Sequence, residues 1–90
     1  MFNESGIWTV TEVNRAVARC LEANFSSLWV KGEIRGLTMA TSGHWYFTLK
    51  DEYSEINCAM FAGANRRVGF RPKNGDHVEV RGKLSIYAPR

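Results

Sequence analysis

The first periodic feature of the chain is an apolar stripe with the spacing of an α-helix. Between residues 10 and 21, apolar side chains recur every three or four positions, at Val10, Val13, Val17, Cys20 and Leu21. Thr9 just before the stripe and Glu12 three residues later fit a capping box, in which each side chain accepts from the other residue's backbone amide. The pattern predicts an amphipathic helix over about residues 9–23, with its stripe packed against the core.

From residue 28 onward the period changes to two, which is typical of half-buried β-strands. Four such segments follow one another, and we expect them to form strands over about residues 28–88. A short helix fits between residues 61 and 70. The inward positions of the strands are expected to be Leu28, Val30 and Ile34, then Trp45, Phe47 and Leu49, then Ile56, Cys58 and Met60, and finally Val78, Val80, Leu84 and Ile86.

Two glycines interrupt the apolar series of the first and fourth strands in similar contexts, Gly32 in VKGEI and Gly82 in VRGKL. A glycine inside a strand marks a bulge or a sharp bend. Small closed barrels need such bends where a long strand passes from one sheet to the other. Two bent strands, with a helix-bearing connection between the third and fourth, indicate the all-β class and an OB-fold, a Greek-key β-barrel preceded here by an α-helix. An SH3-like or other small barrel is the alternative.

Length and charge narrow the range of functions further. A chain of 90 residues makes one domain, which we expect to span residues 1–90. Residues 1–60 carry five basic and seven acidic side chains, whereas residues 61–90 carry seven basic and two acidic ones. The excess of positive charge in the last third favours a polyanionic partner. A solvated basic surface is the alternative.

Nothing in the sequence indicates secretion or a membrane. The opening segment MFNESGIW has neither the basic nor the apolar part of a signal peptide, and no apolar run is long enough to span a bilayer. Cys20 and Cys58 fall within the predicted helix and the predicted third strand. We therefore expect both to be buried, reduced thiols of a cytoplasmic protein.

The outward positions of the predicted strands carry interleaved basic and aromatic side chains. Sequence-independent binding of a single strand requires a basic groove for the phosphates and aromatic faces for the bases. The alternative is that the rings pack beneath the helix or the loops and that the charges are only solvated. We expect phosphate contacts from Lys31, Arg35, Lys50, Arg81 and Lys83, stacking on Tyr46, Phe61 and Tyr87, and a hydrogen bond from Asn57.

Catalysis by these residues is not expected. Asp51, Glu52 and Glu55 come nearest to a cluster of metal ligands, but they fall in a predicted hairpin loop with no second group of His or carboxylate. The sequence has no phosphate-binding glycine loop, nucleophile elbow or zinc spacing. We therefore expect no catalytic residue, no metal and no cofactor in this chain.

Five segments of the chain also follow one another in the order and spacing of a known family. They are WTVTEVNR (8–15), LWVKGEI (28–34), SGHWYFTLKDE (42–52), FRPKNGD (70–76) and VRGKLSIYAPR (80–90). These segments resemble the N-terminal OB domain of exodeoxyribonuclease VII large subunits. The resemblance implies a domain that binds single-stranded DNA for a nuclease region C-terminal to it. It also implies that the parent assembles with several copies of a small helical subunit, and that the complex degrades single-stranded DNA from both ends.

The resemblance implies one further feature of the barrel. In that family a fifth strand follows the counterpart of residues 88–90, so the fifth strand is expected to be missing here and two sheet edges to be unpaired. Unpaired edges favour self-association of the chain. Two other functions remain open from the residues alone: an RNA-binding module such as an anticodon-binding domain, and an OB domain that docks on another protein.

Overall fold

A hydrogen-bonded cap starts the N-terminal helix where the sequence predicts it. The computed structural model describes residues 6–86, and the chain divides into one unit of residues 1–29 with 81–90 and a second unit of residues 30–80. Helix α1 spans Val10–Asn24 in the first unit. Thr9 Oγ1 accepts from the Glu12 amide at 3.0 Å, and Glu12 Oε1 accepts from the Thr9 amide at 2.7 Å. The predicted capping box is therefore confirmed.

The apolar stripe of α1 is more exposed than the sequence suggests. No residue of the helix is buried, and Val13 and Val17 are 44% and 40% exposed. Cys20, on the same stripe, is exposed as well, so the prediction of a buried thiol there was wrong. Periodicity identifies the apolar side of a helix but not how much of that side is covered. Cys58 is half-buried, and this burial raises the pKa of its thiol because the thiolate loses hydration.

Four strands form one sheet, as the period-two alternation predicts. β2 pairs antiparallel with both β1 and β3, and a one-turn helix α2 (Ala62–Asn65) follows β3. In the described part of the chain, β3 and β4 are the edges of the sheet and the barrel is not closed. No helix in this part is long and apolar enough to cross a membrane. The strands are β1 (Leu28–Met39), β2 (Trp45–Lys50), β3 (Glu55–Met60) and β4 (His77–Gly82), in the order β3-β2-β1-β4.

The fourth strand is shorter than predicted. β4 ends at Gly82, and residues 83–86 form no strand even though Leu84 and Ile86 continue the alternation. The amide of Leu84 instead donates to the carbonyl of Phe25 at 3.0 Å, within the first unit. This bond pairs the segment after β4 with a residue that lies shortly before β1, beyond the ends of both strands.

The core of the second unit is small and centres on one pair of residues. Ile34 of β1 and Leu49 of β2 are directly opposed in the register, and they are 3% and 2% exposed. Ile56 of β3 completes the row but stays 43% exposed, because β3 is an edge strand. One face of the sheet is thus covered at its centre, which leaves the other face available for polar side chains.

The irregularity of β1 lies at a different glycine from the one that the sequence suggested. The pairing of β1 with β2 shifts register between Arg35 and Thr38, around Gly36, whose φ of +60° is readily adopted only by glycine. Gly32 has another role. A Cβ built there lies 2.8 Å from Leu49 Cγ and 2.9 Å from the carbonyl oxygen of Lys50, so a side chain at this position would clash with β2.

Asn65 ties the turn between β1 and β2 to the end of β3. Its Nδ2 donates to the carbonyl oxygen of Gly43 at 2.5 Å and to that of Met60 at 3.1 Å. Both bonds are part-buried, so water replaces them poorly if the donor is lost. The tie fixes the position of the β1–β2 turn relative to α2.

Asn65→Ala is expected to lower the free energy of unfolding by about 1–2 kcal/mol, because two part-buried carbonyls lose their shared donor. Urea unfolding followed by circular dichroism measures this change. The matched control is Asn57→Ala, which removes an exposed side chain with one side-chain hydrogen bond and is expected to change stability by no more than about 0.5 kcal/mol. Equal losses in the two variants would contradict the role given to Asn65.

Candidate nucleic-acid interface

The register of β1, β2 and β3 assembles one polar face from three rows of residues. Opposed residues on neighbouring strands share a face of the sheet, and so do alternate residues along one strand. We call this the outer face; the buried pair Ile34 and Leu49 lies on the opposite face. Five of the predicted site residues, two on β1, two on β2 and one on β3, therefore share the outer face. Its rows are Glu33–Lys50–Glu55, Arg35–Thr48–Asn57 and Thr38–Tyr46–Ala59.

The middle row of the outer face combines a cation with hydrogen-bonding groups. Thr48 Oγ1 donates to Asn57 Oδ1 at 3.1 Å, and the Nδ2 of Asn57 has no partner among the described residues. Arg35 forms an ion pair with Glu33, its outer-face neighbour along β1, while its side chain stays 54% exposed. A guanidinium has five N–H donors, so Arg35 can hold a second acceptor beside Glu33. This row can donate to a phosphate and to a base or sugar.

Two aromatic rings stand at one end of the outer face. Tyr46 of β2 is 44% exposed. Phe61 directly follows β3 with an extended backbone, φ −80° and ψ 155°, and it is 63% exposed. Because side chains alternate along extended backbone, Phe61 continues the outer-face series of Asn57 and Ala59. Exposed rings beside hydrogen-bond donors are what base stacking requires.

The other end of the outer face has mixed charge. Lys50 lies between Glu33 and Glu55 in its row. Nearby carboxylates weaken the attraction of a lysine for phosphate, because the anion meets both charges. Lys31 and Lys50, two of the predicted phosphate contacts, therefore lie among acidic side chains. An open cleft at this end is lined by Lys31, Lys50 and His77 together with Glu33, Asp51, Glu52 and Glu79.

The carboxylate of Asp51 is engaged in the hairpin turn between β2 and β3. Its Oδ1 accepts from the amides of Tyr53 and Ser54, each at 2.9 Å. These two bonds, the one from Tyr53 first, hold the pKa of Asp51 below its ordinary value, and the charge of Lys50 acts in the same direction. In the part of the chain that the structure describes, no three His, Cys, Asp or Glu side chains are placed to hold a metal ion.

Three predicted site residues do not belong to the second unit. Arg81 and Lys83 are exposed residues of the first unit, where Arg81 Nε donates to Ser27 Oγ at 3.1 Å. Tyr87 lies outside the described residues. The other predicted residues, Lys31 and Phe61 included, belong to the same unit as the three rows.

The same region contains further residues that were not in the predicted site set. Residues 57–75 carry four basic and no acidic side chains, and Arg66 and Arg67 are exposed directly after α2. These two arginines are among the seven basic side chains counted over residues 61–90. His44 packs edge-to-face against Phe61, with ring centroids 5.1 Å apart. No local pattern announces this contact, because the two residues are distant in sequence.

The known proteins that are similar to this chain include exodeoxyribonuclease 7 large subunits of three bacteria. The chain is 48% identical over 89 residues to the exodeoxyribonuclease 7 large subunit of Pectobacterium carotovorum subsp. carotovorum and 47% identical over 89 residues to that of Pectobacterium atrosepticum. It is 51% identical over 84 residues to the large subunit of Haemophilus influenzae. These matches cover 99%, 99% and 93% of this chain but 19% of each relative, in the N-terminal region.

A family match agrees with the observed helix and four-stranded sheet. The sequence pattern described as "OB-fold nucleic acid binding domain" matches residues 8–90, which is nearly the whole chain. The match includes every strand and both helices of the described residues. The chain therefore belongs to the family of OB-fold nucleic acid binding domains.

Proposed function

We propose that this chain is the single-stranded DNA-binding module of an exodeoxyribonuclease VII large subunit, and that it presents the strand to a nuclease region C-terminal to it. The observation that supports this most is the outer face, where a cation, an amide and an exposed ring occupy neighbouring rows. The relatives are named as large subunits of an exodeoxyribonuclease, which favours DNA as the polymer. Because this chain spans 19% of their length, the proposal assigns hydrolysis to the remainder of the parent protein.

The proposed path of the strand crosses the half of the outer face that has exposed rings. Bases stack on Tyr46 and Phe61, Arg35 binds a phosphate, and Asn57 donates through its Nδ2 to a base or a sugar. The row Glu33–Lys50–Glu55 limits the path at the other end, because its two carboxylates repel phosphate. Stacking and charge pairing of this kind suit single strands of any sequence.

The remaining predicted residues are proposed to make weaker contacts away from the central path, where nearby carboxylates weaken those of Lys31 and Lys50. These residues are Lys31, Lys50, Arg81, Lys83 and Tyr87. Small helical subunits are proposed to bind the parent through its C-terminal region, with the assembly in the cytoplasm. The edges of β3 and β4 are proposed sites of self-association.

Fluorescence anisotropy of a labelled oligo-dU, titrated with the chain at several salt concentrations, tests this function. The logarithm of the affinity should fall linearly with that of salt, by about 0.7 for each phosphate neutralised. Competition with unlabelled oligo-U of equal length isolates the 2′-hydroxyl, and the deoxy strand is expected to compete better. A clear preference for RNA would favour an anticodon-type module, and no binding at low salt would favour a protein-docking domain; either result contradicts the proposal.

Arg35→Gln is expected to make the plot of log affinity against log salt less steep by up to about 0.7, since it removes one phosphate contact. Lys83→Ala is expected to reduce this slope in the same way. Glu33→Gln should instead strengthen binding by about 2- to 5-fold, because it frees Arg35 and removes a repulsive charge. The control is Arg15→Gln on α1, which makes the same charge change outside the proposed path. If the control lowers the slope as much as Arg35→Gln does, binding follows net charge and the path is wrong.

A further inference from the structure

The ring of Phe61 rests on a histidine that is itself anchored to the backbone beside it. His44 Nδ1 accepts from the amide of Ala62 at 3.0 Å. The His44 and Phe61 rings meet edge-to-face, with centroids 5.1 Å apart and planes at 66°. A neutral imidazole has one acceptor nitrogen, so the Ala62 bond fixes which edge of His44 faces α2 and thereby fixes the plane of the ring.

The backbone around Phe61 is held from several directions. The carbonyl of Phe61 accepts from the amides of Ala64 and Asn65 at 2.9 and 3.1 Å. Asn65 in turn bonds the carbonyl of Gly43, the residue before His44. A Cβ at Gly43 would lie 3.0 Å from the Ala62 Cβ, which shows how closely the β1–β2 turn approaches α2. The backbone is thus fixed while the side chain of Phe61 stays 63% exposed.

We propose that His44 is a positioning residue, which presents the ring of Phe61 to an incoming base. This inference rests on the proposed function and identifies what orients one of its two stacking surfaces. A free, exposed phenylalanine samples several rotamers, and binding must select one of them. Because the edge-to-face contact selects the orientation beforehand, binding loses less side-chain entropy. The Ala62 bond occupies only Nδ1, so the double-mutant cycle below tests whether His44 acts through Phe61 or through a direct contact of its Nε2–H with the strand.

Two substitutions separate the ring contact from the backbone anchor. His44→Asn places an amide oxygen near the position of Nδ1, keeping an acceptor for Ala62 but removing the ring. We expect it to weaken oligo-dT binding by about 3- to 10-fold with little change in melting temperature. His44→Phe keeps a ring against Phe61 but leaves the Ala62 amide unpaired. It is expected to recover most of the affinity lost in His44→Asn while lowering the melting temperature. If His44 had a purely structural role, the less stable variant, His44→Phe, would also be the weaker binder.

A double-mutant cycle tests whether His44 acts through Phe61. On the Phe61→Ala background, His44→Asn is expected to have no further effect on affinity. With an oligonucleotide of the same length whose residues are abasic, the difference between the parent chain and His44→Asn should disappear, because no base is left to stack. Equal losses on both backgrounds, or no loss in the parent background, would overturn the positioning role. If the unsubstituted chain did not bind at all, the proposed function itself would be overturned. The failure of the positioning role and the failure of the proposed function are therefore distinguishable.

Discussion

Replacing both Tyr46 and Phe61 with alanine is expected to lower the affinity for oligo-dT by at least about 30-fold, and each single replacement by about 5-fold or more, since stacking on one ring contributes about 1–3 kcal/mol. Both rings are exposed, at 44% and 63%, so their removal creates no cavity in the core. The affinity should therefore fall while the urea midpoint stays nearly constant. Fluorescence anisotropy and urea unfolding of the same preparations measure the two quantities.

The chain offers a matched control for this loss. Tyr53 is 89% exposed in the turn between β2 and β3, beside the carboxylates of Asp51 and Glu52. Tyr53→Ala removes the same kind of ring from the acidic end of the hairpin, and it is expected to change the affinity by less than about 2-fold. If Tyr53→Ala weakens binding as much as Tyr46→Ala does, ring exposure alone determines binding and the proposed path is incorrect.

Gly32→Ala is expected to lower the free energy of unfolding by about 1–3 kcal/mol, through overpacking against β2. The added Cβ would lie 2.8 Å from Leu49 Cγ and 2.9 Å from the Lys50 carbonyl oxygen. Leu49 is the most buried core residue and the Lys50 carbonyl is backbone, so neither moves without disturbing the pairing of β1 with β2. Urea unfolding measures the loss.

Gly63→Ala in α2 is the control for that substitution. Among the described residues, no atom outside the backbone of α2 and the two chain neighbours lies within 4 Å of a Cβ built at Gly63. Because alanine is also the better helix former, the change is expected to be neutral or to stabilise the chain by up to about 1 kcal/mol. A Gly32→Ala variant as stable as the parent would contradict the close approach of β1 to β2 described above.

Local sequence rules predicted the elements of this fold because their signals are local. The capping box of Thr9 and Glu12 depends on two residues three apart, and it is observed. The alternation of Trp45, Phe47 and Leu49 depends on the pleat of one strand, and in that strand Leu49 is buried whereas Tyr46, on the opposite face, is exposed. The same alternation predicted too long a fourth strand, because Leu84 and Ile86 continue the pattern after β4 ends at Gly82.

The features that the sequence did not reveal all depend on contacts between distant segments. A glycine in a strand signals either a bulge or close packing, and only the neighbouring strand decides which: Gly36 takes the first role and Gly32 the second. In the same way, the two glutamates beside Lys50 become its neighbours only once the register is known. The residue types of the outer face were therefore predictable, but the division of that face into an end with exposed rings and an end of mixed charge was not.

Photo-cross-linking shows which aromatic rings of the chain contact the bases of a bound strand. A single-stranded oligonucleotide containing 5-iododeoxyuridine is bound to the chain, irradiated, and the cross-linked peptides are identified by mass spectrometry. We expect cross-links at Tyr46 and Phe61 that an excess of unlabelled oligo-dT suppresses. Cross-links confined to Tyr53, or to aromatic residues such as Trp8 and Phe25 of the first unit, would contradict it.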